Sequence, residues 1–261
     1  MRIVQISDIH LYGDKQQNLL GVKTFESFVA VVNLLKADKN KPDMIILTGD
    51  MAQDHSEQAY RNMVDVLKEF TVPIYFVAGN HDNPDIIERL FPMNNISDKK
   101  NIVFDHWNII LLNSQIPGRV EGCLNVSQLN YMQACLQAYP HHHAIVMFHH
   151  QPIPVGSTWL DQYILTNANE FWRLVKNFPQ LRTIFFGHVH QVHEGQKQGV
   201  NYYSAPATCI QFMRKSHDFA LENLNPGYRW IELSPEGELK TGISRVANYV
   251  GTFQADAKGY E

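Results

Sequence analysis

Five short apolar runs in this chain of 261 residues each end in a residue able to ligate a metal. Residues 2–6 lead into Asp8-Ile9-His10, and residues 44–47 into Gly49-Asp50. Residues 74–77 lead into Gly79-Asn80-His81-Asp82, and residues 145–148 into His149-His150. Residues 183–186 lead into Gly187-His188-Val189-His190, which brings two imidazoles to one small volume. Runs of this length, bounded by glycine and polar residues, read as buried strands. In open α/β sheets, ligands bind beyond the carboxyl ends of the strands. One such ending means little, because Gly-Asp and Gly-Asn are ordinary turn pairs. Five in one chain point to a metal centre, because each would otherwise have to reach such a strand end by chance. The Asp, His and Asn donor set suits Mn, Fe, Zn or Co rather than a soft metal.

Between these runs the first half alternates strand and helix. Residues 24–37 carry Phe25, Phe28, Val29, Val32 and Leu35 at helical spacing, with Thr24 as the expected cap. Helices are also expected over 56–70 and 85–90, which gives βαβα order and a central sheet covered by helices. Residues 101–113 read as two strands around a turn at Asp105-His106. A helix over 127–138, capped by Ser127, and another near 169–176 separate the later buried strands at 143–148 and 183–186. From Gln191 onward the strands expected at 192–194, 200–204, 228–233 and 239–246 suggest a second, more antiparallel sheet. The simplest architecture is α/β: one domain over residues 1–261, two packed sheets flanked by helices.

The totals narrow the function. A formal charge of -4 and a pI near 6.3 give no polycationic surface, so a nucleic-acid partner is not expected. An anionic substrate then needs a local positive centre, which metal ions supply. Cys123, Cys135 and Cys209 are scattered, which argues against a disulfide framework and a thiolate zinc knuckle. With no signal segment and no run of membrane-spanning length, a cytoplasmic protein without a membrane partner is expected.

The same motifs, in this order, resemble the five signatures of the calcineurin-like metallophosphoesterases. Over nearly its full length the chain is most similar to bacterial class III cyclic-AMP phosphodiesterases. That closer resemblance rests on Leu20-Gly21-Val22, Trp159-Leu160-Asp161-Gln162, the segment 205–212 and Pro226-Gly227-Tyr228-Arg229. It implies a four-layer α/β/β/α fold and a dinuclear-metal phosphodiesterase that hydrolyses 3′,5′-cyclic AMP to 5′-AMP through a hydroxide bridging the metals. Asp8, His10 and His190 would hold one ion, Asn80, His149 and His188 the other, and Asp50 would bridge them. Fe and Mn are the leading metals. His81 would be the catalytic acid or charge stabiliser, with Asp82 orienting it or a ligand. His10, Asp50, Asn80, His81, His149 and His190 would face the substrate, a small phosphodiester. Relatives of this kind are compatible with a homodimer.

Two departures from the wider superfamily matter. Gln53 stands where purple acid phosphatases carry tyrosine, which argues against an Fe(III)-tyrosinate centre. In His149-His150-Gln151-Pro152 either histidine could be the ligand, and the resemblance favours His149. Trp159, Phe212 and Tyr12 could stack on a base but read better as packing. Arg119 and Arg214 read as solvated, His141-His142-His143 as a solvated turn, and His106, His193 and His217 receive no role. The rival functions are a broad phosphodiesterase for glycerophosphodiesters or 2′,3′-cyclic nucleotides, and a degenerate binding module. The latter would be expected to lack ligands or His81, all of which are present here.

Overall fold

Alternation along the buried strands decides the layering. The computed structural model describes residues 1–247 and 253–259. In chain order it runs β1 (Arg2–Ile6), β2 (Asn18–Leu19), β3 (Val22–Lys23), α1 (Thr24–Ala37), β4 (Met44–Thr48), α2 (Glu57–Leu67) and β5 (Ile74–Val77). It continues with α3 (Pro84–Leu90), β6 (Ile96–Ser97), β7 (Asn101–Phe104), β8 (Trp107–Leu111), α4 (Val126–Ala138) and β9 (His143–Met147). The remaining elements are α5 (Ala168–Val175), β10 (Leu181–Phe186), β11 (Glu194–Lys197), β12 (Val200–Ser204), β13 (Gly227–Leu233) and β14 (Leu239–Arg245). One six-stranded sheet has the order β14-β13-β1-β4-β5-β6, the other β11-β12-β10-β9-β8-β7.

Strands β1, β4 and β8 are buried at every position, as strands covered on both faces must be. Ile3, Met44, Ile46 and Ile231 of the first sheet meet Ile109, Ile145, Met147 and Phe185 of the second in one cluster. Their alternate neighbours Val4, Ile6, Ile45 and Leu47 turn away to pack with Phe28, Val31, Tyr60 and Met63 of α1 and α2. On the far side, Ile110, Val146, Ile184 and Phe186 pack with Met132, Leu136, Phe171 and Trp172 of α4 and α5. Period-2 patterning thus yields the expected helix–sheet–sheet–helix stack. No helix among the described residues is long and apolar enough to cross a membrane.

Several local expectations shift. Thr24 is the first residue of α1 rather than its cap, and Lys23 at the cap position makes no side-chain capping hydrogen bond. Asn125, not Ser127, caps α4: its Oδ1 accepts from Gln128 N–H at 3.0 Å. The late strands do not make a sheet of their own. β13 pairs antiparallel with β1, and β12 pairs parallel with β10, so these strands extend both sheets. The middle strands β7 to β10 supply the rest of the second sheet. Pairing partners far apart in sequence leave no trace in a strand's own alternation.

Arg229 ties the sheets together. Rooted in β13, its fully buried guanidinium donates to Ser204 O at 2.8 Å and Glu194 Oε1 at 2.7 Å across the interface, and to Thr241 Oγ1 at 3.0 Å. Glu194 is half exposed and can be re-solvated, so removing the guanidinium costs chiefly its hydrogen bonds and packing, roughly 2–4 kcal/mol, whereas an apolar side chain of similar volume costs less. Urea unfolding of Arg229→Ala should show a loss of that order, with Arg229→Met in between. A loss below about 1 kcal/mol for Arg229→Ala would mean that the tie is dispensable.

Candidate metal centre

Parallel strands β1, β4 and β5 of one sheet and β9 and β10 of the other carry the five motifs at their carboxyl ends. The loops there bend sharply. Asp8, His10, Asp50, His188 and His190 all adopt left-handed backbone conformations, with φ between 46° and 68°. For residues other than glycine this costs about 1–2 kcal/mol each. Five such residues at one place mean that the surrounding hydrogen bonds and packing hold the loops against their own preference. Asp50 O accepts from Ile9 N–H at 2.8 Å and His10 N–H at 2.9 Å, and Gly187 N–H donates to His149 O at 3.0 Å. Gly79 has to be glycine, because a Cβ there would collide with Asp50 Oδ1 and with the Asp50 backbone nitrogen.

The first donor group is Asp8, His10, Asp50 and His190, whose ligand atoms lie within 4.8 Å of one another, all buried. His10 Nδ1–H donates to Gln53 Oε1 at 2.5 Å and His190 Nδ1–H to Ile210 O at 3.0 Å. Each bond fixes a tautomer and turns the Nε2 lone pair inward. The two Nε2 atoms then face each other at 3.1 Å. Burial lowers the His10 pKa to about 4 and that of His190 well below its ordinary value, so neither holds a proton between them at neutral pH. Two opposed lone pairs at that distance repel, and a cation between them relieves the repulsion. Asp8 adds Oδ2, buried with no hydrogen-bond partner among the described residues, while its Oδ1 accepts from His188 N–H at 3.0 Å.

The second group is Asn80, His149 and His188. His149 Nδ1–H donates to Thr48 O at 2.7 Å, which leaves Nε2 3.1 Å from Asn80 Oδ1. His188 Nδ1 lies 2.9 Å from Asn80 Oδ1 and 3.3 Å from His149 Nε2. Its Nε2 is buried with no partner among the described residues, so nothing there turns the Nδ1 lone pair inward as Thr48 O turns that of Nε2 in His149. Asp50 stands between the groups: Oδ2 is 3.6 Å from His10 Nε2 and 3.2 Å from His149 Nε2, while Oδ1 accepts from His81 N–H at 2.8 Å. The buried lone pairs, the unpartnered carboxylate oxygen and the N/O chemistry all fit a pair of first-row cations.

The His149-His150 ambiguity resolves into two different environments. His150 directs Nδ1 at Ser114 Oγ (2.8 Å) and Nε2 at Val120 O (3.0 Å), so both of its nitrogens are occupied by protein. Only His149 presents a ring nitrogen to Asn80 and Asp50. Asp82 serves the neighbouring loops. It accepts from Gly79 N–H (2.8 Å), Met51 N–H (3.0 Å), Ala52 N–H (3.3 Å) and Tyr60 O–H (3.1 Å), which fastens the loops that carry Asp50 and Asn80. His81 is half-buried, lines the cleft above the donors and meets the His10 ring edge-on at 5.0 Å.

Sequence reasoning missed several orienting groups. Gln53 registers only as a departure from tyrosine, yet it sets the tautomer of His10. The carbonyls of Thr48 and Ile210 leave no signal, since any residue supplies one. Phe212 stacks on His190, with ring centroids 4.2 Å apart and planes 8° apart. The plainer readings of other residues hold. Tyr12 packs against the helix-side core, Arg119 pairs with Glu121, and Arg214 with Glu222. Trp159 packs against that core and also lines the cleft.

Protons and metal ions compete for these donors. Burial works against a charged His149, but the Asp50 carboxylate outweighs it and raises the His149 pKa to about 9. Burial raises Asp8 to about 7. Below pH 9 cation binding must therefore expel the His149 proton, and below about 7 the Asp8 proton as well. Calorimetric titration with Zn in buffers of different ionisation enthalpy should show release of about one proton near pH 8 and a larger release below 7. Apparent affinity should fall as pH falls. A pH-independent affinity would contradict the assignment of these donors.

Residues 1–192 match the family model described as calcineurin-like phosphoesterase. The chain is 37% identical over 263 residues to the 3′,5′-cyclic adenosine monophosphate phosphodiesterase CpdA of Vibrio vulnificus, with 100% of this chain and 95% of that protein covered. It is 35% identical to the CpdA of Escherichia coli K12, at the same coverage. Among solved structures it superposes on a dimetal phosphatase from Danio rerio with a TM-score of 0.67 at 12% identity, covering 94% of this chain and 99% of that one, a likeness of fold. A family model that spans most of the chain, relatives aligned over its whole length and the α/β/β/α stack agree: the chain belongs to the calcineurin-like phosphoesterase family.

Proposed function

We propose that this protein is a metal-dependent phosphodiesterase that hydrolyses 3′,5′-cyclic AMP to 5′-AMP. The chemistry rests on one observation above all, the placement of Asp50 Oδ2 between two sets of inward-facing donors. The substrate rests on whole-length likeness to relatives named for that activity. In this reading Asp8, His10, Asp50 and His190 hold one ion, and Asp50, Asn80, His149 and His188 hold the second. Fe, Mn or both would occupy them, as the family resemblance implies, and the Asp, Asn and His donors would also accept Zn or Co. When bound, two such ions supply Lewis acidity and lower the pKa of coordinated water toward neutrality.

The protein's own groups do the rest. Asn80, His149 and His188, together with His10, Asp50 and His190, would hold the ions that attract the phosphate oxygens and so would face the substrate across them. His81 reaches into the cleft from the Asp50 side, held by its backbone N–H on Asp50 Oδ1. Burial lowers its pKa, so at neutral pH it starts neutral and donates a hydrogen bond. A phosphodiester anion beside it favours the protonated ring, which can then pass a proton to O3′ as the P–O3′ bond breaks. Such general-acid assistance contributes about 10²–10⁴-fold.

The cleft holds about 1350 Å³, more than one small nucleotide fills, which also favours a second reading as a broader phosphodiesterase. Chromatography of cyclic AMP incubated with the Mn-loaded protein should give 5′-AMP alone. Comparing kcat/KM for cyclic AMP, 2′,3′-cyclic AMP and a glycerophosphodiester separates the readings, and an equal or greater value for the latter two removes the cyclic AMP assignment. His81→Ala should keep its metals and lose about 10²–10⁴-fold in kcat. Asp50→Ala should lose both ions along with activity. Unchanged metal content in Asp50→Ala would overturn the bridging role.

A further inference from the structure

The cleft above the donors is lined by two unlike groups of residues. One is aromatic: Trp159 meets Phe212 and Phe219 edge-on at 4.9 and 5.0 Å, and Phe212 in turn backs His190. The other comes from the far end of the chain. Residues 255–259 line the same cleft as His55, His81 and His188, although more than 60 residues separate them in sequence from the last of these histidines. The segment is docked rather than draped. Phe253 packs against the core cluster formed with α4 and α5, and Gln254 N–H donates to Leu20 O at 2.8 Å. Ala257 N–H donates to Gln254 O at 3.1 Å, and the turned chain lines the cleft with Ala255, Asp256, Ala257, Lys258 and Gly259. Lys258 is the one lysine or arginine among the described residues that line it.

We propose that residues 253–259 determine substrate size. Of these, residues 255–259 line the cleft together with Trp159 and Phe219, so that a diester with one bulky substituent fits while one extended on both sides of phosphorus meets the tail. This rests on the phosphodiesterase reading of the site. The tail supplies none of the proposed ligands, so it can be removed without deleting one.

The test compares two diesters, methyl p-nitrophenyl phosphate and 3′,5′-linked dithymidine monophosphate, on the Mn-loaded protein. A variant lacking residues 253–261 should keep the metal content and the turnover of the small diester, while kcat/KM for the dinucleotide rises at least about tenfold relative to it. Ala257→Trp in the full chain narrows the cleft from the tail side and should lower the same ratio. Hydrogen exchange of the metal-free deletion variant should be faster at Leu160, Gln162 and Tyr163, which line the same cleft as the tail. A ratio that stays at the wild-type value in both variants, with exchange unchanged, overturns the proposal. If the shortened chain fails to hold metal, Ala257→Trp decides alone, and an unchanged ratio there is equally fatal. An intact protein inert toward both diesters and toward cyclic AMP would sink the phosphodiesterase reading and the role of the tail with it.

Discussion

Asp50 is the group on which the rest of the structure depends. Its Oδ2 faces one histidine from each sheet, and its Oδ1 is held by the His81 backbone. Its pKa lies well below the usual carboxylate range: burial opposes ionisation, but His149 foremost and the other histidines around it prevail. A buried carboxylate in this position is stable only with compensating positive charge. The proton on His149 provides that charge when no metal does, and two cations provide it more fully. The site is therefore built to exchange protons for metal.

Each donor group draws on both sheets. Asp8, His10 and Asp50 come from the first sheet and meet His190 from the second, while Asn80 comes from the first and meets His149 and His188 from the second. The relative placement of the sheets is thus part of the metal site. The packing of Ile3, Ile46 and Ile231 against Ile145, Met147 and Phe185 supplies most of it. Specific ties refine it: Gln5 Nε2 donates to Phe186 O at 3.0 Å across the interface, and Arg229 reaches Ser204 and Glu194. The strain of five left-handed residues is offset by this scaffold, in keeping with the general concentration of strain at functional sites.

The strands that matter were legible because they are covered on both faces and so read as unbroken apolar runs. Their endings were legible because Asp, Asn and His interrupt those runs at once. The four-layer order follows from the same alternation. What could not be read was non-local. Nothing in 228–233 says that it will lie beside β1, because either sheet would bury the same face. The Asn125 cap was hidden because Ser127, two residues on, is an equally good capping type. Gln53 looked like a mere substitution, since its partner His10 is 43 residues away. Carbonyl acceptors such as Ile210 O carry no sequence signal, and the tail that walls the cleft carries no motif. His149 and His150 were indistinguishable by type; only their neighbours, Thr48 for one and Ser114 and Val120 for the other, separate them.

The central claim is that one carboxylate joins two cations. Electron paramagnetic resonance of the protein loaded with Mn(II) tests it without relying on turnover. The account predicts about two Mn per chain and the spectrum of an exchange-coupled pair. A stoichiometry of one, or two ions giving only the signal of isolated Mn(II), would contradict it.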